Sequence, residues 1–325
     1  MPPASPSRSR SFSGFSSRWL GATARAFVPF AGPILADHLR NFAARDAVFP
    51  AFEPPKNSDS LLILSPHPDD EILGCAGLIQ RAKAAGARVE IAFLTNGDGS
   101  KTTQIVLNAR SWKRRQSLFQ IAQGRQLEAL EAARRVGVDA PNVHFLGFPD
   151  GACWPLMRAQ NSQPITSPTT GFSAVPYERA ARKGAPYTRE SLVEILANLL
   201  EKTAPTQIFT THPLDTHLDH KAAFHALEAA KTRVQSAAPL WVFLVHYGIW
   251  PVPNGFRPDL NLWPPHPFLD GQTQWFSLEL SEAEIAAKKH ALKAHATQLA
   301  STPRYLHAFV RQNELFGKWE GTAKM

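Results

Sequence analysis

With 325 residues, of which 44% are hydrophobic and 19% charged, the chain can bury a sizeable core and has the composition of a globular protein, not of a disordered or fibrous one. Its formal net charge is +8, but seven basic against three acidic residues in the first 56 supply +4 of that, and no helix-turn-helix, finger or RNP pattern points to nucleic acid. The two cysteines, Cys75 and Cys153, have no CxxC spacing and read as small packing residues, which suits a reducing, cytoplasmic setting.

Residues 1–36 carry Arg8, Arg10, Arg18 and Arg25, many serines and no acid. No stretch reaches the roughly eighteen apolar residues of a spanning helix, so the expectation is a flexible basic extension with weak peripheral contact to a membrane surface. Asp37 to Pro55 reads as a connector, which divides the chain into an extension, 1–56, and a single domain, 57–325.

From Leu61 the chain alternates strand and helix. Leu61 to Leu64 is a short unbroken apolar run, as in a strand buried on both faces, while Ile72, Leu73, Ala76, Leu78, Ile79 and Ala82 recur at helical spacing. Pro66 and Pro68 hold the link between them extended. Further strands are predicted over Arg88 to Leu94, Val143 to Leu146, Gln207 to Thr211 and Leu240 to Val245. Helices are predicted over Asn108 to Gly137, Thr188 to Thr203, the start marked by His217 to His220, and Ser281 to Leu299, where Ser281 and Glu284 form a capping box. Two long segments, about 152–186 and 250–276, read as rim loops; the first is expected to shape the substrate entrance. In the second, Trp250, Trp263 and Trp275 suit hydrophobic clamping better than stacking on a sugar. The alternation predicts an α/β, Rossmann-like fold: a mainly parallel sheet with helices on both faces and the site at the carboxyl ends of the strands. No GxGxxG follows the first strand, which argues against a dinucleotide cofactor.

The chemistry concentrates in two strand-to-helix loops. In SPHPDDE, His67 and Asp70 can turn an imidazole and a carboxylate toward one divalent metal, with Asp69 and Glu71 beside it; the competing reading is a solvated acidic loop that caps a helix. In HPLDTHLDH, His217, Asp219 and His220 open the next helix, and His220 can complete a two-histidine, one-carboxylate set that leaves a position open for water. Asp69 is placed to move the proton of that water, His217 to support an oxyanion if protonated, and Asp219 to hydrogen-bond a histidine ring or cap the helix.

Together SPHPDDE and HPLDTHLDH resemble the paired signatures of the LmbE-like, PIG-L family of zinc-dependent N-acetylglucosaminyl deacetylases, supported by RQLEALEAARRVGV, FLGFPDG and KKHALKAHATQL. The resemblance covers about residues 60 to 300 and implies Zn2+ on His67, Asp70 and His220, Asp69 as general base, and His217 assisting the tetrahedral intermediate. It also implies substrate contacts at Arg125 and Asp150, for which an ion pair of Arg125 with Glu128 is the plainer alternative. Asp215 and Thr216 stand where some relatives place a tyrosine shortly before the ligand histidine. The implied activity is removal of acetyl from an N-acetylglucosamine-like sugar in a conjugate. A metal-dependent phosphoesterase and a non-catalytic, metal-stabilised sugar-binding module are the alternatives. Lys101, Arg110, Lys113, Arg114, Arg115 and Arg125, with no acid between Asp98 and Glu128, suggest an anionic substrate or a solvated basic face. His295 and Gln298 fall near the end of the last predicted helix, with core or solvated roles expected first.

Overall fold

The sheet grows outward from β1 (Ser60–Ser65), which pairs in parallel with β2 (Arg88–Thr95) on one side and β4 (Gln207–Thr211) on the other. β3 (Val143–Phe148) continues the β2 side and β5 (Leu240–Phe243) the β4 side, both in parallel. Beyond β5, β7 (Asn313–Trp319) and β6 (Thr273–Glu279) pair antiparallel, giving the order β3-β2-β1-β4-β5-β7-β6. This computed structural model describes residues 47–110, 117–160, 162–269 and 271–320. Residues 1–46 of the expected extension, and Lys113, Arg114 and Arg115, lie outside them.

Because successive strand residues point to opposite faces, β1 feeds two separate cores. Leu61 and Ile63 pack with α1 (Asp70–Ala84), α3 (Leu118–Arg135) and α7 (Glu282–Leu292). Leu62 and Leu64 pack with α5 (Arg189–Thr203) and α6 (Leu218–Arg233) on the other face. The chain leaves β1 toward β2 and β3, then returns to the other side of β1 for β4 and β5, so the strand order reverses between β1 and β4. The crevice at their carboxyl ends is where open α/β sheets bind ligands.

The sequence reading and the structure part in several places. The helix expected over Asn108 to Gly137 is two: α2 (Lys101–Arg110) starts earlier, and α3 starts afresh at Ser117, whose side chain accepts from Gln120 N while Gln120 reaches back to Ser117 N. The helix expected over Ser281 to Leu299 stops at Leu292 and resumes as α8 (Ala296–Ser301) and α9 (Pro303–His307), although its capping box is present. The antiparallel β6–β7 pair was not predicted, and β6 begins inside the supposed loop 250–276. There Trp250 and Trp275 are buried, donating Nε1–H to the Trp263 and Phe268 carbonyls at 2.8 Å, so they act as clamps.

The segment 152–186 contains α4 (Cys153–Arg158) and then lies along β3, with Ala181 N donating to Phe145 O at 2.7 Å. It covers the outer strand of the sheet, which would otherwise offer unpaired backbone groups. Packing also starts earlier than Leu61: Phe52 N donates to Ser277 O and Ser277 N to Pro50 O, and the Phe52 ring is buried among Phe209, Trp241 and Phe316.

Candidate active site

The loop after β1 is held from three sides. Ser65 Oγ donates to His67 O at 2.8 Å, Thr95 at the end of β2 donates both N–H and O–H to Pro66 O, and Arg125 on α3 donates Nη2–H to Pro68 O at 2.7 Å. Pro66 and Pro68 bring no N–H of their own to satisfy in this buried turn. Asp69 then takes φ 139°, a strained conformation for a residue with a side chain, and α1 begins. Asp69 is the N-cap residue of α1, yet its side chain caps nothing; its backbone N–H donates to Glu71 Oε2 at 3.0 Å. The helix-capping reading of this acid is therefore set aside.

The loop after β4 supplies the facing half. Asp215 Oδ2 lies 3.1 Å from His220 Nδ1 and also accepts from Val245 N and His246 N, which fixes the proton of His220 on Nδ1 and leaves Nε2 free. His67 is oriented likewise: Nε2 lies 3.4 Å from both Asp219 Oδ2 and Asp150 Oδ1. Asp219 is itself held by Gly151 N and Cys153 N.

The remaining ring atoms converge. His67 Nδ1 and Asp70 Oδ2 are 3.2 Å apart, His220 Nε2 and Asp70 Oδ2 3.2 Å, and His220 Nε2 and His67 Nδ1 3.3 Å. A tetrahedral zinc with donors at roughly 2.0–2.1 Å spaces them about 3.3 Å apart, so the triangle fits such a cation without rearrangement. His217 and His246 each bring a further ring nitrogen within 4.8 Å of two of these ligand residues.

Charge points the same way. Asp69, Asp70, Glu71, Asp150, Asp215 and Asp219 are all buried here, against Arg125 as the buried permanent cation. Burial alone would lower the basicity of His67 and His220. Even so, Asp150 with its neighbours holds His67 well above its usual range, and Asp215 with Asp70 raises His220 to about 9. A site that makes its histidines this basic carries negative charge that a divalent cation would balance.

Asp69 does not share that triangle. Burial raises its carboxyl to about 7, against the opposing pull of Arg125, whose Nη2 is 3.7 Å from Asp69 Oδ1. His217 Nδ1 accepts from Asp219 N–H at 3.3 Å, so Nε2 carries the ring proton. Burial, with His67 and His220 adding to it, lowers His217 to about 4, the direction that favours a neutral ring donating from Nε2.

Arg125 makes no ion pair with Glu128, which instead accepts from Thr297 N and Oγ1; Arg125 ties Pro68 to Gly97 across the two loops. Asp150 accepts from Gly99 N at 2.8 Å, and its backbone N–H is held by Asp98. A cavity of about 250 Å³ opens over Asp69, Arg125, Asp150 and His217, and its far wall is Gln298, Thr302 and Tyr305 rather than either segment expected to form the rim. His295 is buried behind the site, its Nε2 3.2 Å from Glu71 Oε1. Sequence reasoning missed Asp215, His246 and Tyr305. A carboxylate five residues before His220 was the visible signal for the first.

Among solved structures, the fold is similar to the A40926 pseudoaglycone deacetylase Dbv21 (TM-score 0.53, 18% identity, covering 81% of this chain and 99% of that one). It is similar also to a triple mutant of a deacetylase of the teicoplanin biosynthetic pathway (TM-score 0.51, 15% identity, 79% and 96%). The N,N'-diacetylchitobiose deacetylase of Pyrococcus horikoshii shows a TM-score of 0.47 at 19% identity, over 79% and 82%. No curated protein matches the chain in sequence. The family model described as PIG-L, GlcNAc-PI de-N-acetylase, matches residues 62–231, a span that contains both loops and every residue of the donor triangle, and the chain belongs to this family.

Proposed function

We propose that the protein is a zinc-dependent N-deacetylase that hydrolyses the acetamide of an N-acetylglucosamine-like sugar within a larger conjugate. The observation that carries this reading is the triangle of His67, Asp70 and His220 donors beside a carboxylate, Asp69, that belongs neither to the triangle nor to a helix cap. Two nitrogens and one oxygen suit zinc, and a cation there would polarise an amide carbonyl and acidify water.

The protein's own groups supply the rest. Asp69, raised toward neutrality by burial, takes the proton of the attacking water and returns it to the departing amine. The neutral His217 ring donates Nε2–H to the oxygen on which charge develops. Asp219 and Asp215 hold the rings of His67 and His220, while Arg125 and Asp150, which line the cavity, contact substrate hydroxyls. The family description, GlcNAc-PI de-N-acetylase, supports this substrate class, and the deacetylases of similar fold are in keeping with the reaction.

Acetate release from a panel of N-acetylated glycoconjugates, with metal content by elemental analysis, tests the reading. One zinc per chain with acetate release supports it. Two metals with phosphate-ester cleavage, or sugar binding without acetate, would replace it with the phosphoesterase or the binding module.

Two finer points belong to the same proposal. A preference for anionic substrates rests on the basic stretch from Lys101 to Arg125; equal kcat/KM for a neutral and a phosphorylated sugar at two salt concentrations would remove it. A cytoplasmic enzyme touching membranes peripherally through residues 1–36 is supported by their arginines and by two free buried cysteines, and among the described residues no helix is long and apolar enough to cross a membrane. Cosedimentation with anionic vesicles, with and without those residues, checks that contact.

A further inference from the structure

The cavity wall carries a histidine to which the reading above gives no role. His246 follows β5, and its backbone is fastened to the loop that bears His217 and His220: its N–H donates to Asp215 Oδ2 at 2.8 Å, and its carbonyl accepts Thr216 N–H and Oγ1–H at 2.8 and 2.9 Å. Asp215 and Thr216, the two residues that depart from the pattern of some relatives, are thus what fixes His246.

The ring is fixed as well. It stacks on Tyr305 of α9, with centroids 5.5 Å apart and planes 6° from parallel, and Nδ1 lies 2.9 Å from the Tyr305 hydroxyl oxygen. The same hydroxyl lies 2.7 Å from the Val245 carbonyl oxygen. A carbonyl can only accept, so the hydroxyl proton goes to Val245, and the phenolic oxygen is left to accept Nδ1–H from His246. With the ring proton on Nδ1, Nε2 keeps a lone pair. It makes no hydrogen bond within the described residues, and the His246 side chain lines the cavity. His217 has the opposite arrangement, its Nδ1 accepting and its Nε2 donating. The site therefore presents one imidazole as donor and another as acceptor.

We propose that His246 is a specificity residue that touches substrate: its Nε2 accepts a hydrogen bond from a neutral donor beside the scissile bond, the acetamide N–H or an adjacent sugar hydroxyl, and Tyr305 is the positioning residue that holds this tautomer. The inference rests on the deacetylase reading of the same cavity. A role as fourth protein ligand is disfavoured, because His67, Asp70 and His220 already leave the single open position that a catalytic centre requires. A substrate with a donor at this point is favoured over one without, since the unmatched analogue leaves Nε2 desolvated and unpaired.

The experiment compares the zinc-loaded full chain with His246→Ala, His246→Gln and Tyr305→Phe, using acetate release from N-acetylglucosamine for kcat and KM, together with zinc content and Tm. His246→Ala should keep its zinc and Tm and lose about 10- to 10²-fold in kcat/KM, mostly through KM. His246→Gln, whose amide oxygen accepts, should recover part of that loss, and Tyr305→Phe should raise KM with kcat little changed. Loss of zinc in a folded His246→Ala makes the residue a ligand and overturns the proposal, as does an unchanged kcat/KM or a Gln variant no better than Ala. If His246→Ala fails to fold, Tyr305→Phe decides, and an unchanged KM there is the overturning result. A wild type that releases no acetate sinks the deacetylase reading and this inference with it, whereas an active wild type with indifferent variants sinks only this one.

Discussion

The Asp215 carboxylate accepts from His220 Nδ1 at 3.1 Å, and because the same oxygen also takes two backbone N–H groups it cannot swing away from that ring. Asp215→Ala would remove the acceptor that holds the proton on Nδ1 and let the tautomer with the proton on Nε2, the atom that faces Asp70, compete. Zinc affinity should fall by about 10- to 10²-fold, and His220→Ala should lose the metal outright. Titration against a chromogenic chelator measures both, and an Asp215→Ala protein with wild-type affinity would show that the tautomer is set elsewhere.

Asp69 and His217 should separate metal from chemistry. Asp69→Asn keeps shape but removes the basic oxygen, so kcat should drop by about 10² to 10⁴ with zinc retained. His217→Ala should keep zinc and lose about 10² to 10³ in kcat, the usual cost of one missing oxyanion donor. Elemental analysis beside acetate release reads both variants. An Asp69→Asn enzyme of full activity would remove the mechanism.

The pH dependence of the chelated protein follows from the raised groups of the site, of which His220 and Asp69 define the window and His67, also raised, acts in the same direction. His220 stands at about 9 against a usual 6.5, so its contribution to stability is complete below pH 6.5 and is lost as pH rises through about 9. Asp69, at about 7 against 3.8, adds a loss in the same direction as pH rises through 7. The Tm of the EDTA-treated protein should fall between pH 6.5 and 9, and with zinc bound, where His220 is already unprotonated, the fall should be shallower. Scanning fluorimetry at three pH values tests this, and a flat chelated profile would contradict it.

Gly97 has φ +70°, and a Cβ there would lie 1.7 Å from Arg125 Nη1. Gly184, at φ +78°, has nothing within 4 Å. Both alanine variants should pay the backbone strain of about 1 kcal/mol, but Gly97→Ala must also displace a buried guanidinium that ties Pro68 to Gly97, adding about 1–3 kcal/mol. Urea unfolding of the pair gives the difference, and equal midpoints would refute the contact.

Phe52 lies ahead of the first sheet strand yet is 4% exposed. Phe52→Ala should destabilise by about 3–5 kcal/mol, as for other buried phenylalanines. A loss under 1 kcal/mol would return this residue to the connector.

Much of the fold was legible because its signals are local. The apolar runs at Leu61 to Leu64 and Gln207 to Thr211 need no distant partner to read as buried strands, and the polar residues that interrupt them, His67 to Asp70 and His217 to His220, stand out against that background. Parallel alternation then implied that both loops open at one edge of the sheet. Which ring faces which carboxylate was not in the pattern. That Asp219 orients His67, 152 residues away, and that Tyr305 sets the tautomer of His246, 59 residues away, depends on α6, β5 and α9 meeting over one crevice. The antiparallel β6–β7 pair escaped notice for a related reason: its strands pair along Thr273 to Glu279 and Asn313 to Trp319 with three helices between them, yet one begins inside a proline-rich segment whose local composition reads as loop. Periodicity reports which residues are buried, and sequence alone settled that much here. The partners of those residues are chosen by packing between elements far apart in the chain, so the donor triangle, the two histidine tautomers and the cavity wall were decided only by the tertiary structure.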